Sequence, residues 1–389
     1  MLHSDLPEDV QELAQLTRAV AEKKIAPLIE QVERDATFSR DIQESLADAG
    51  LFGLVVPSEH GGVDTDIRHQ GVVLEELGRI YPSACTYLTA HWLATKLIAL
   101  NATTPQLTSW ASDLLVRAAE GTALGAIAAT EPESGSDLGA ITTRAVRDGD
   151  DWVINGTKRF ITNGGFCDFY SVLARTGGPG SRGISVIVVE AERPGVTAAR
   201  WEQKMGLHGS ATAEMNFDDV RVPADHLVGE EGKGFTYLMR GFDEGRVAVA
   251  AMCLGVSQGA MEAAVRYAGD RRQFGKQIGA YQGVQFMLAD MAIGVQTSRS
   301  LVYDAMHALV TGHPDRSRMS ATAKVFASDA SMEITTNAVQ VHGGSGYVRD
   351  FPVEMFMRDA KIGQIYEGTN QILRMLIARS YLGDVARAG

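Results

Sequence analysis

The stretch Trp152-Val153-Ile154-Asn155-Gly156-Thr157-Lys158-Arg159-Phe160-Ile161-Thr162 decides how the chain is read. Two runs of β-branched and aromatic residues flank Asn-Gly, the dipeptide that best accepts the positive φ of a two-residue turn. The spacing predicts a β-hairpin turning at Asn155-Gly156. Further strand-like runs follow at 169–174, 184–190, 196–201 and 213–217. Short strands at such intervals predict a small antiparallel sheet or barrel.

On both sides of this region the apolar period is that of helices. Upstream, Val10, Leu13, Leu16 and Val20 recur at helical spacing, as do Val72, Val73 and Leu77 around Glu75 and Glu76. Downstream, 245–268, 282–311, 317–341 and 369–386 read as four helical stretches, which most simply pack as a bundle. The expected fold is mainly α with a central β-domain. Its parts are an N-terminal helical domain (1–124), a middle antiparallel β-barrel domain (125–233) and a C-terminal four-helix bundle domain (234–389).

The composition is that of an ordinary soluble globular chain: 389 residues, 45% hydrophobic and 22% charged. A net charge of −12 argues against a nucleic-acid or anionic-membrane surface, since both require a basic face. Cys85, Cys167 and Cys253 are far apart with no CxxC pair, and no histidines show HExxH spacing, so neither a disulfide framework nor a metal site is expected. Asp5, Glu8 and Asp9 stand where a signal peptide would need an apolar run, and the longest apolar stretch has ten residues, 247–256. No membrane span and a cytoplasmic location are expected.

Two familiar patterns fail on context. Gly178-Pro179-Gly180-Ser181-Arg182-Gly183 matches G-x-G-x-x-G, but a strand-like run follows it where the dinucleotide motif needs a helix, so it reads as a hairpin loop. Gly255-Val256-Ser257-Gln258-Gly259 matches G-x-S-x-G, but it lies within a helical run and not after a strand, so its small residues read as helix packing.

Four other segments invite a ligand. Thr130-Glu131-Pro132-Glu133-Ser134-Gly135-Ser136-Asp137 offers hydroxyls and backbone N–H groups on a loop. Arg271-Arg272-Gln273-Phe274-Gly275-Lys276 sets three cations beside an aromatic ring, a solvated cluster or a phosphate site. Gln340-Val341-His342-Gly343-Gly344-Ser345-Gly346 ends a helix with more glycines than a C-cap needs. In Tyr366-Glu367-Gly368-Thr369-Asn370-Gln371, Thr369 is a good N-cap, which puts Glu367 just ahead of the last helix.

Together, in order and over nearly the whole chain, these segments resemble the acyl-CoA dehydrogenase family. Gly53-Leu54-Val55-Val56-Pro57 before His60-Gly61-Gly62, Glu75-Glu76-Leu77-Gly78-Arg79 and Arg358-Asp359-Ala360-Lys361 add to the match. The resemblance implies FAD as cofactor. Thr130 and Ser136 match flavin and pyrophosphate contacts, Ser136 also facing substrate, and Phe160 and Thr162 match the pair beside the flavin ring. Arg271, Gln273, Phe274, Gln340, Gly343 and Gly344 match contacts to the FAD of a neighbouring subunit, which implies a homo-oligomer, typically a tetramer. Thr369 and Gln371 match contacts on the adenylate side.

Glu367 matches the family's base, which takes the α-proton of an acyl thioester while the β-hydride leaves to flavin N5. Tyr366 and Gly368 match residues flanking the acyl group, and Asp243 and Arg246 match residues near the thioester and its carrier. Burial raises the pKa of such a carboxylate and a helix end lowers it, so the sequence leaves the balance open. Phe160 stands where many members carry Trp, and Gly245 stands where several carry a larger side chain, implying a roomier pocket. Tyr87, His91 and Trp92, on the helix expected to close the acyl pocket, imply a short or unusual acyl group.

The implied function is α,β-dehydrogenation of an acyl thioester, carried by coenzyme A or an acyl carrier protein, with electrons passing to an electron-transfer flavoprotein. A flavin-dependent oxidase or monooxygenase on the same fold is the alternative. A non-catalytic binding protein is disfavoured, because both the base and the flavin contacts are retained.

Overall fold

The structure, a computed structural model, describes residues 6–383. The sequence reading at 384–386 falls outside them. Helices α1 (Glu8–Val20), α2 (Ile67–Ile80) and α3 (Pro82–Ala99) organise the N-terminal part. Asp66 caps α2 by accepting from Arg68 N–H, and Pro82 opens α3 at its first turn, where a missing N–H is harmless. Nearly every residue of α3 is buried, because it lies between the sheet and the long helix that follows the sheet.

Seven strands form one curled sheet: β1 (Gly125–Ala128), β2 (Arg144–Asp148), β3 (Asp151–Thr162), β4 (Phe169–Arg175), β5 (Ile184–Glu190), β6 (Val196–Trp201) and β7 (Thr212–Pro223). The order is β1-β4-β2-β3-β7-β6, with β5 paired to β4. Most pairs are antiparallel; β1 runs parallel to β4, and β2 meets β4 in parallel at Arg144–Arg175.

The hairpin expected at Asn155-Gly156 does not form there. β3 runs straight through the dipeptide, and the chain reverses between β2 and β3 at Gly149, whose φ is 61° and which follows Asp148. Asn155-Gly156 instead marks a shift of register against β7, where Asp219 is the extra residue, with φ 49°. Asn155 Nδ2 donates to Asp219 Oδ1 and Asp219 N–H donates to Asn155 Oδ1, both at 2.9 Å, which satisfies the bulge. Glycine is required at 156 because a Cβ there would stand 2.5 Å from Thr143 Oγ1.

The helical part comprises α4 (Gly234–Asp270), α5 (Gln282–Val310), α6 (Arg316–His342), α7 (Val353–Ala360) and α8 (Asn370–Leu382). Helices α4, α5 and α6 pack on one another, α8 packs on α6, and α2 lies along α4. The approach of α2 to α4 is close because α4 is small there: a Cβ on Gly255 would lie 2.1 Å from the Glu75 carbonyl oxygen, and one on Gly259 2.2 Å from that of Arg79. The G-x-S-x-G match is thus helix packing. Glu75, buried in this layer, accepts from Arg299 and Tyr303 at 2.7 Å each. Gly178 to Gly183 lies in the loop joining β4 to β5, as its context implied.

By length and composition α4 could cross a membrane, but 83% of its most apolar window is buried inside the fold, the mark of a core helix. The Arg358-Asp359 motif joins the bundle to the sheet. Arg358 bridges Glu354 at 2.7 Å and Glu33 at 3.1 Å, and buried Asp359 accepts from Leu207 N–H at 2.6 Å.

Candidate active site

One cavity of about 1540 Å³ opens where α3, α4, the sheet and the loop before α8 converge. A pocket for one drug-sized ligand measures roughly 300–1,000 Å³, so this one has room for more than one group. Its walls carry Thr130, Ser136, Phe160, Thr162, Arg246, Tyr366, Glu367, Gly368 and Thr369. Nine of the residues singled out in the sequence, from Thr130 to Thr369, therefore share one space.

The sheet wall is built by a second irregularity in β3. Between Lys158 and Ile161 the register against β7 slips again, and Phe160 takes φ 57°. A bulge of this kind re-aims a side chain; Phe160 lines the cavity and is 55% exposed, with the Arg159 guanidinium 4.7 Å from its ring centroid. Behind it Lys158 is fully buried. Its Nζ donates to Glu131 Oε1 at 2.9 Å and to the Ala129 carbonyl at 3.0 Å. Glu131 also accepts from the N–H groups of Thr142 and Thr143 at 2.6 and 2.9 Å. This pair anchors the loop that carries Thr130 and Ser136.

Burial is the largest influence on both partners. It lowers Lys158 to about 8, whereas the lysine and the hydrogen bonds together bring Glu131 down to about 2. We take the pair as ionised, because each charge has a partner and the remaining carboxylate lone pairs are filled.

The opposite wall is the turn before α8. Thr369 caps that helix, its hydroxyl accepting from Ile372 N–H at 3.3 Å, and Gly368 has φ 90°. Glu367 itself has φ 53°, a left-handed backbone on a non-glycine residue. Such strain persists only where neighbours over-determine it. The Glu367 carboxylate faces Gly245 on α4, and its Oε2 is buried without a hydrogen-bond partner. Burial is the dominant influence and raises its pKa, while Arg246 and Lys324 pull the other way. Of the two effects left open by the sequence, burial wins.

The α3 wall corrects an expectation. Tyr87 and His91 do not reach the cavity. Tyr87 donates to the Gly209 carbonyl at 2.8 Å, and His91 Nδ1 accepts from Gly125 N–H at 3.0 Å while its ring meets Phe52 edge-on. Burial holds His91 neutral, its pKa down at about 3. Of the three only Trp92 lines the space, with Thr86, Thr89, Ala90, Leu93 and Lys96. Helical geometry explains this: 86, 89, 90, 93 and 96 share one face and 87 and 91 the opposite one. The bulk at 87 and 91 therefore does not narrow this cavity.

The other singled-out residues lie elsewhere. Asp243 is outside the cavity wall, pairing Arg246 at 2.7 Å and accepting from Ser317, and Gln371 is exposed beyond it. Arg271, Gln273 and Phe274 sit at the end of α4, where β8 (Arg272–Gln273) and β9 (Lys276–Gln277) make a small hairpin. Gln340, Gly343 and Gly344 sit at the end of α6. The two groups meet, because Tyr267 stacks on His342 at 4.3 Å and its hydroxyl donates to Ser345 at 3.2 Å. All six are exposed, Phe274 by 93%, and none lines the cavity of its own chain.

Three residues that matter to the walls were missed from sequence: Lys158, Lys324 and Asn370. A signal existed for the lysines. Lys324 falls on the buried face of α6 with Ala321, Ala327, Ser328 and Ser331, and Lys158 shares the buried side of β3 with Trp152 and Ile154.

The residues present fit FAD. A planar heteroaromatic ring has an exposed aromatic face at Phe160 and hydroxyls at Thr130, Ser136 and Thr162, in a cavity with room for a second ligand. Among the described residues no cluster of metal-binding side chains occurs.

The family models agree in order along the chain. The acyl-CoA dehydrogenase N-terminal domain matches residues 7–117, the middle domain 126–220 and the C-terminal domain 232–382. The chain is 43% identical over 378 residues to probable acyl-CoA dehydrogenase FadE25 of Mycobacterium tuberculosis, covering 97% of this chain and 96% of that one. Butyryl-CoA dehydrogenase of Megasphaera elsdenii superposes with a TM-score of 0.92 at 38% identity, over 97% of this chain and 99% of that one. A chain of the structure named "Electron transferring flavoprotein of Acidaminococcus fermentans: Towards a mechanism of flavin-based electron bifurcation" superposes with a TM-score of 0.93 at 42% identity, over 97% and 99%. With every part of the fold matched and the site walls in place, the chain belongs to the acyl-CoA dehydrogenase family of oxidoreductases.

Proposed function

We propose that this protein removes the α-proton and β-hydride of an acyl-CoA to give the 2-enoyl thioester, with Glu367 as the base. The observation that carries this is the Glu367 carboxylate, buried on the cavity wall with an unpartnered Oε2, in the same space as Phe160 and Thr162. A proton acceptor must be dry, to gain basicity, and free of competing donors. Glu367 Oε2 meets both conditions, and the raised pKa of Glu367 makes it a stronger base than an exposed carboxylate.

FAD, when bound, supplies the acceptor for the hydride. Phe160, Thr162, Thr130 and Ser136 would hold it on the sheet wall. Tyr366 and Gly368 flank the acyl group, and the backbone N–H of Glu367 is the donor expected for the thioester carbonyl. One such preorganised donor contributes about 10²–10³ in rate. Arg246, on the same cavity wall, would face the thioester and its carrier. The exposed group of Arg271, Gln273, Phe274, Gln340, Gly343 and Gly344 would complete the cofactor site of a neighbouring copy, so we take the protein to act as a homo-oligomer. An electron-transfer flavoprotein would reoxidise it.

Anaerobic titration of the yellow protein with acyl-CoA thioesters of graded length and branching, and with the matching acyl carrier protein thioesters, tests this. Bleaching of the flavin with release of enoyl-CoA is expected. A protein that binds no FAD, or whose flavin no thioester bleaches, would overturn it.

A further inference from the structure

Lys324 is a buried cation whose hydrogen bonds both go to neutral oxygens: the Gly368 carbonyl at 2.7 Å and Asn370 Oδ1 at 3.0 Å. These acceptors flank Thr369, in the turn directly after Glu367. Asn370 is in turn held by α6, its Nδ2 donating to Ser328 Oγ at 2.9 Å and Asp329 Oδ1 at 2.8 Å. Buried charges are ordinarily paired, yet among the described residues no carboxylate lies within ion-pair distance of Lys324.

The charged and titratable groups facing this lysine come from three elements: Arg246 and Cys253 from α4, Asp329 from α6 and Glu367 from the turn, with Tyr366 beside Glu367. Asp329 is engaged by Arg374 at 2.5 Å and by Gln364 at 2.6 Å, and Arg246 by Asp243 at 2.7 Å. Glu367 and Lys324 are thus opposite charges, both in dry surroundings and neither in direct contact with a counter-ion. The tie to Gly368 and Asn370 leaves the carboxylate unquenched by an N–H, while the positive field still reaches it.

We propose that Lys324 is a positioning residue for this reaction: it fixes the left-handed turn that carries Glu367 and, together with Arg246, supplies the positive field that keeps the base ionised without hydrogen-bonding to it. The proposal rests on Glu367 being the base. A base with a contacting ammonium would hold its proton acceptor lone pair in a hydrogen bond, and a base with no cation near it would stay protonated at neutral pH. The observed arrangement avoids both.

The test uses FAD-loaded, full-length protein and follows flavin reduction by a saturated acyl-CoA against pH. Lys324→Met removes charge and donor; it should retain FAD, reduce about ten-fold or more slowly at neutral pH, and show a rising pH limb displaced upward by about one unit. Lys324→Gln keeps a donor for the Gly368 carbonyl without the charge. It should show the same displaced limb but regain most of the native rate on the alkaline plateau, and it carries the test if the methionine variant does not fold. Lys324→Arg should bring the limb back. If Lys324→Gln holds FAD and its limb stays at the native position, the proposal is overturned and Lys324 is only a structural support. Glu367→Gln run alongside separates the two ideas: native-rate reduction there would remove Glu367 as base, whereas a dead Glu367→Gln beside unshifted Lys324 variants removes only this proposal.

Discussion

Gly245 on α4 and the carboxylate of Glu367 face each other so closely that a β-carbon on residue 245 would stand 2.8 Å from Glu367 Oε2 and 3.4 Å from its Cδ. The glycine is therefore the space the carboxylate occupies, and not spare room for substrate. Gly245→Ala should turn the carboxylate away from its present direction while leaving the cofactor wall intact. Displacing a reacting group by about 1 Å can lower rate by about 10². Rapid-mixing measurement of flavin reduction should show a loss of that order at unchanged FAD content; a native rate would mean the carboxylate acts from another rotamer.

Glu367→Gln keeps shape and backbone N–H but accepts no proton. Positioned bases contribute about 10²–10⁴, and flavin reduction should fall by at least that. Thioester binding should survive, visible as a perturbed but unbleached flavin spectrum.

The pH dependence follows from the direction of the Glu367 shift. Burial raises its pKa above the ordinary 4.5, and only the ionised form abstracts a proton. Activity should therefore rise with pH along a limb that lies above the usual carboxylate range, and fall away below it. Stopped-flow reduction across a buffer series locates the limb. Glu367→Gln should show none.

Lys158→Met leaves the buried Glu131 carboxylate without its cation. Breaking a buried pair by removing one partner typically lowers stability by about 3–5 kcal/mol. Thermal unfolding should show a lower midpoint, with FAD lost before the helical signal. The sign for Glu131 is separate: its folded pKa is depressed from 4.5 to about 2. Its contribution is present in full above 4.5 and is lost as pH falls through about 2. Glu131→Gln should flatten acid destabilisation over that window.

Arg271→Ala should weaken FAD retention without altering the cavity of its own chain, since Arg271 does not line it. Spectrophotometric FAD content after dialysis, alongside light scattering for mass, checks this. Tight FAD binding by a monomer would refute a cross-subunit role.

The helical regions were legible because apolar period and caps are local: Thr369 and the 282–311 run, which forms the helix Gln282–Val310, needed no knowledge of neighbours. The β-domain was legible in kind but not at its turn. Asn-Gly favours positive φ wherever it occurs, and only the tertiary partner Asp219, 64 residues away, makes it a bulge. Orientation on α3 was misjudged because nearly every face of that helix is buried, which removes the amphipathic stripe that would separate His91 from Ala90. Lys158 and Lys324 escaped because a lysine reads as surface even where the rest of its helix or strand face is small or apolar.

The two walls of the cavity are held from behind by different lysines, Lys158 under the sheet loop and Lys324 under the turn before α8. Between them the α3 face offers Thr89, Ala90 and Leu93, which belong to neither set of tethers. On the proposed function, substitutions on that face should change acyl preference while leaving both tethered walls in place.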